Sequence, residues 1–156
     1  MQKISYKKID QTNHTELIQV LNNQENRKHL INHPLFDKET TIKWINEKQK
    51  VDATQGCKVR SIYLDDKLVG WCGIQKENEK YEIAIILDKK SWGIGKKVFF
   101  DMIAWAKELK HKTLLIHFLH TRNRYKFLKK LSVNSFETDI FGEKFISYEL
   151  DLDLFK

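Results

Sequence analysis

The chain is poor in residues that interrupt or staple structure: one proline, six glycines and two cysteines among 156 residues. So few breakers, beside 41% hydrophobic residues, exclude a disordered or low-complexity chain. Cys57 and Cys72 are too few for a disulfide framework and form no metal-ligand pair, so they read as free thiols of a reducing compartment. No apolar run approaches the ~18 residues of a membrane span. The opening residues, Met1-Gln-Lys-Ile-Ser-Tyr-Lys, lack the apolar region of a signal peptide. The expectation is a cytoplasmic protein with no membrane partner. No internal repeat or Ser/Gly-rich linker divides the chain, and its length suits one domain over residues 1–156.

Positive charge is what the chain has in excess. The formal net charge of +7 favours anionic partners: a phosphorylated cofactor, RNA or an acidic protein. It does not choose among them. A local cluster, Arg122, Arg124, Lys126, Lys129 and Lys130, suits a nucleic acid and a solvated helix face equally.

Hydrophobic periodicity gives the element order. Ile4 to Ile9 alternates and reads as a strand. Leu17, Ile18, Val20 and Leu21 mark a short helix after the turn-like Asp10 to Asn13. Residues 29–36 hold the single proline, Pro34, and read as a loop. Asp37 is the expected N-cap of a helix reaching about Gln49, with Ile42 and Ile45 on its buried side. Val59 to Leu64 and Leu68 to Ile74 form a hairpin across Asp65-Asp66-Lys67. Tyr81 to Leu87 follows the polar turn Lys76 to Lys80. Val98, Phe99, Met102, Ile103, Ala106 and Leu109 fall on one helical face. Thr113 to Leu119 is a strand, Arg124 to Leu131 a short basic helix, and Phe145 to Leu152 a closing strand. The order β, α, α, β, β, β, α, β, α, β predicts an α/β or α+β fold with antiparallel early strands.

The segment Asp88-Lys-Lys-Ser-Trp-Gly-Ile-Gly-Lys-Lys97 joins the strand ending at Leu87 to the helix starting at Val98. A strand that turns through glycines into a helix is a device for holding phosphate. The helix's first N–H groups carry partial positive charge, and glycine lets the anion approach them. A triphosphate loop is excluded, because there is no Gly-x-x-x-x-Gly-Lys-Ser/Thr. A dinucleotide fingerprint is excluded because position 98 is Val98.

Lys90-x-x-Gly93-x-Gly95 resembles the acyl-CoA pyrophosphate loop of the GNAT superfamily of N-acetyltransferases, usually Gln/Arg-x-x-Gly-x-Gly/Ala. Lys90 departs from the usual Gln or Arg, and Trp92 before the first glycine is similar to the branch that acetylates protein N-termini. The element order matches this superfamily over nearly the whole chain. The resemblance implies a mixed sheet of about six to seven strands, with a splayed central parallel pair, and about four helices. It implies acetyl-CoA as cosubstrate, no metal, and an amine acceptor such as a small molecule or a protein N-terminus. Ser91, Trp92, Gly93, Ile94, Gly95 and Lys96 would then hold the pyrophosphate, with Lys90 adding charge. A backbone N–H among Ile85, Ile86 and Leu87 would face the thioester oxygen.

Glu82 is the one acid in an otherwise apolar strand and is the first candidate for general base. His120, at the end of the next strand, is the second. His117, between Ile116 and Phe118, reads as a buried, satisfied histidine. The superfamily often supplies a leaving-group acid from Asn-x-x-Ala-x-x-Leu-Tyr-Glu-Lys-x-Gly-Phe. Here the Tyr position holds Leu128 and the Asn position Thr121, while Asn123 and Tyr125 stand two and three residues out of register. Either a shortened loop brings Asn123 and Tyr125 into use, or a water serves as the acid. Residues 26–36 and the second helix usually shape the acceptor pocket, which makes His29, His33 and Trp44 lining candidates. Two other functions fit the same features: a toxin-like acetyltransferase acting on aminoacyl-tRNA, and an idle module that binds acyl-CoA without turnover.

Overall fold

The computed structural model describes residues 2–24, 34–119, 128, 130–140 and 142–155. Seven strands form one sheet among them: β1 (Ile4–Lys8), β2 (Lys58–Leu64), β3 (Lys67–Glu77), β4 (Lys80–Leu87), β5 (Thr113–Leu119), β6 (Ser132–Ile140) and β7 (Glu143–Asp151). Their spatial order is β1-β2-β3-β4-β5-β7-β6. Every neighbouring pair is antiparallel except β4 and β5, which run parallel. Three α-helices are present among the described residues: α1 (His14–Asn22), α2 (Lys38–Asp52) and α3 (Gly95–Glu108).

Local chemistry sets these boundaries. Asn13 caps α1 by accepting from the Glu16 N–H at 3.0 Å. Asp37 caps α2 as expected, and Thr40 completes a reciprocal capping box. The β2–β3 turn places Asp65 and Asp66 in the left-handed region (φ 49° and 68°), the conformation a tight hairpin needs. The next hairpin turns at Asn78 (φ 55°), so the expected polar turn over Lys76 to Lys80 is mostly strand.

The helices cover opposite faces of the sheet. Ile83, Val98, Met102, Leu114, Ile116 and Leu150 pack in the core under α3. Leu17, Val20, Ile45, Val59 and Trp71 pack under α1 and α2. On α2 the buried pair is Thr41 and Ile45, one turn apart, whereas Ile42 is 39% exposed. The expected burial of Ile42 fails because the face set by Ile45 runs through position 41. Strand β6 has no counterpart in the sequence-based order. Among the described residues it lies at the sheet's edge, pairs with β7 alone and exposes Val133 and Phe136, so it lacks the apolar alternation of a half-buried strand. The expected basic helix over residues 124–131 lies largely outside the described residues.

Candidate active site

The parallel ladder between β4 and β5 is short. Its paired residues are Glu82 with Leu115 and Ile83 with Ile116. Beyond Ile83, β4 runs on through Leu87 paired with β3 alone among the described residues. The two strands therefore part, and a gap opens beside Ile85, Ile86 and Leu87. In an antiparallel ladder a residue's N–H and C=O point to one side, and the side alternates along the strand. The Asp88 N–H donates to the Val69 carbonyl of β3 at 2.7 Å, which fixes the phase. Even-numbered residues of β4 address β3, so the N–H groups of Ile85 and Leu87 address the gap.

Glycine at position 70 permits this course. A Cβ there would overlap the Ile86 carbonyl oxygen and stand 2.9 Å from its carbon and 3.0 Å from Leu87 Cα. The backbone at the end of β4 lies close against β3 at this glycine.

The segment after β4 winds as a 3-10 turn over Lys89–Ile94 and continues into α3 at Gly95. Trp92 ties the turn to its strand, because its indole N–H donates to the Leu87 carbonyl at 3.1 Å. The Ser91 N–H donates to the Asp88 carbonyl at 2.7 Å, and the Gly95 N–H to the Trp92 carbonyl. Those two amides are engaged within the turn. At the head of α3, Ile94 offers no side-chain cap. A Cβ on Gly93 would meet nothing within 4 Å, and neither Gly93 nor Gly95 has positive φ. Glycine is thus not required here by backbone conformation; it leaves open space at a helix start, where an anion fits. Lys90 and Lys96 are exposed beside it, and Lys97 pairs with Asp101 at 2.6 Å.

On the α1/α2 face, where the strands part, polar side chains gather. Glu82 of β4 lies opposite Gln75 of β3, whose amide N–H donates to Glu82 Oε1 at 3.4 Å. Lys48 of α2 donates to Gln75 Oε1 at 2.5 Å and lies over the Trp71 ring at 4.5 Å. His117 of β5 places Nε2 3.3 Å from Glu82 Oε2 and 3.3 Å from Glu77 Oε2. Its Nδ1 bonds the Ser147 hydroxyl at 2.6 Å, which in turn meets Thr138 at 2.7 Å. The expectation of a satisfied histidine holds for Nδ1 and not for Nε2, which is buried with no hydrogen-bond partner.

These contacts set the protonation states. Burial acts to raise the Glu82 carboxyl, but His117, Glu77 and Lys48 outweigh it and hold it below the usual range. Burial acts to lower His117, and the two carboxylates outweigh that, so its imidazole is held above its usual value. Glu77 is raised, chiefly by sharing a proton position with Glu82 and then by burial. Burial lowers Lys48. The site carries an ionised Glu82 against an imidazole inclined to protonation.

The structure thus brings Glu82, the end of β4 and the glycine turn to one parting of the sheet. His120, Asn123 and Tyr125 lie outside the described residues, as do His29 and His33. Glu77, Gln75, Lys48 and His117 were not legible as site residues, because they converge from β3, α2 and β5.

No protein-family model matches the chain, and no curated protein matches it in sequence. Solved structures match its fold. An N-acetyltransferase from Staphylococcus aureus Mu50 superposes with a TM-score of 0.69 at 16% identity, covering 97% of this chain and 99% of that one. An acetyltransferase of the GNAT family from Streptococcus pneumoniae gives 0.63 at 16%, over 96% and 99%. RimL, a ribosomal L7/L12 alpha-N-protein acetyltransferase, gives 0.69 at 15%, over 95% and 90%. The fold is that of the GNAT acetyltransferases, a mixed seven-stranded sheet with one parallel pair.

Proposed function

We propose that this chain is an N-acetyltransferase that moves an acetyl group from acetyl-CoA directly to a primary amine. The observation that carries the reading is the two-residue parallel ladder at Glu82–Leu115 and Ile83–Ile116, which opens the sheet beside a glycine turn. Acetyl-CoA, when bound, supplies an acetyl thioester and a pyrophosphate. The open space at Gly93, the uncapped head of α3 and the exposed Lys90 and Lys96 suit the pyrophosphate. The Ile85 and Leu87 N–H groups address the gap and are the candidate donors to an oxygen gaining negative charge.

An amine must shed a proton to attack. A lysine-like amine with pKa ~10.4 costs roughly 4 kcal/mol to present neutral at pH 7, an α-amine roughly 1 kcal/mol. Glu82 is ionised and flanks the gap, so it accepts that proton directly or through water. His117 stands 3.3 Å away and orients the carboxylate. RimL's action on a protein N-terminus suits the same α-amine arithmetic, so small amines and peptide N-termini are the acceptors to test first.

The test is a panel of primary amines and peptides incubated with acetyl-CoA, read by thiol release and product mass. Turnover on at least one amine is expected, with Glu82→Gln lowering kcat by about 10²-fold or more. Absence of both turnover and acetyl-CoA binding by calorimetry would overturn the proposal.

A further inference from the structure

We infer that Glu77, Glu82 and His117 form a binding site for a divalent cation of the zinc class. The three side chains offer one nitrogen and two carboxylate oxygens, all within 4.8 Å of one another. His117 is only 10% exposed, and its Nε2 is buried with no hydrogen-bond partner. That nitrogen lies 3.3 Å from an oxygen of each carboxylate. Donors bound to four-coordinate zinc at roughly 2.0–2.1 Å stand about 3.3 Å apart, the edge of that tetrahedron. The spacing already matches two edges of such a polyhedron.

The surroundings prepare the imidazole for this role. Nδ1 meets the Ser147 hydroxyl at 2.6 Å, and Ser147 meets Thr138 at 2.7 Å. With Nδ1 engaged by Ser147, a cation would reach Nε2 by displacing the proton that the two carboxylates favour there. Metal-ligating histidines are held by such an outer hydrogen bond. Lone pairs from three groups facing one point repel unless a proton or cation lies between them. Lys48 does not supply that charge by contact, since its ammonium is held by Gln75 and Trp71. Three protein donors including a nitrogen leave a fourth position for water and disfavour magnesium or calcium, which prefer all-oxygen shells.

Cation binding here is independent of acetyl transfer. Only its consequence rests on that reading: a cation on Glu82 removes the proton acceptor, so Zn²⁺ should inhibit turnover.

The experiment uses the full chain, stripped with chelator and titrated with Co²⁺ as a spectroscopic stand-in and with Zn²⁺ as competitor. The expected result is one equivalent of Co²⁺ with the intense visible bands of four-coordination, displaced stoichiometrically by Zn²⁺ and not by millimolar Mg²⁺. Glu77→Gln and His117→Gln should each weaken Co²⁺ binding tenfold or more, and Ser147→Ala by about tenfold through the imidazole's orientation. Glu77 is 44% exposed, so its variant tests the site without disturbing the core. Failure to develop those bands, their persistence in both ligand variants, or displacement by Mg²⁺ would overturn the inference. Turnover on amines without a cobalt signal would sink the cation site alone, and a cobalt signal with neither turnover nor acetyl-CoA binding would sink acetyl transfer alone.

Discussion

Replacing Gly70 with alanine tests the packing that opens the site. At an ordinary negative φ, glycine to alanine usually stabilises a protein by about 0.4–1 kcal/mol, because the unfolded chain loses freedom. Gly70 has no positive φ, so that rule alone predicts a gain. The structure predicts the opposite sign. The new Cβ would overlap the Ile86 carbonyl oxygen and crowd its carbon at 2.9 Å, and both are backbone atoms that no rotamer change can move. Relief requires β4 to shift away from β3, whose residues 68–74 are all buried. Overpacking of this kind costs about 1–3 kcal/mol, and a chain of this size loses about 2–4 °C of Tm per kcal/mol. A fall of about 2–12 °C in thermal unfolding is expected for Gly70→Ala. Gly93→Ala is the internal control: its Cβ meets nothing within 4 Å, so Tm should hold or rise slightly. In calorimetry the control should instead weaken acetyl-CoA binding, since its methyl group enters the space assigned to phosphate. A Gly70→Ala protein as stable as the parent would refute the account of how β4 is held.

Further outcomes follow from buried polar groups and the caps. Glu82 is lowered in the folded state, so its contribution is present above the unfolded pKa of ~4.3 and lost as pH falls through the folded value. His117 is raised, so its contribution is present below the unfolded pKa of ~6.5 and lost as pH rises through the folded value. Both are present together between about pH 4.5 and 6.5; urea titrations in chelator should therefore show Glu82→Gln losing more stability at pH 5.5 than at pH 8.5, and equal losses would contradict the pairing. Ser61→Ala should destabilise by about 1–3 kcal/mol in the same assay, because Thr12, 4% exposed, would lose its hydroxyl partner. Asp37→Ala should lower the urea midpoint by removing the α2 capping box; an unchanged midpoint would show that the cap is dispensable.

What the sequence disclosed and what it hid divide along one physical line. Strand β4 and the glycine turn were legible because each is a local pattern: an apolar run, then two glycines before a periodic helix. Glu82 stood out for the same reason, as a lone acid in that run. Strand β6 was hidden because an edge strand with an exposed face has no need of alternating apolar residues. Ile42 misled because the helix phase is set by what packs beneath it, and Thr41 takes the buried place.

His117 shows most clearly where local reading stops. Its neighbours Ile116 and Phe118 announce burial, and burial is what the structure has. Whether a buried imidazole is inert depends on partners that arrive from elsewhere: Glu77 from the end of β3, Glu82 from β4 and Ser147 from β7. Ser147 satisfies one ring nitrogen and so leaves the other committed to the carboxylates. The same register that pairs Glu82 with Leu115 and His117 with Ser147 brings these groups together where β4 and β5 part. A one-residue slip would carry Glu82 to the opposite face, into the apolar core beneath α3. The register that fills the two cores therefore also fixes the site, and the chain cannot keep one without the other.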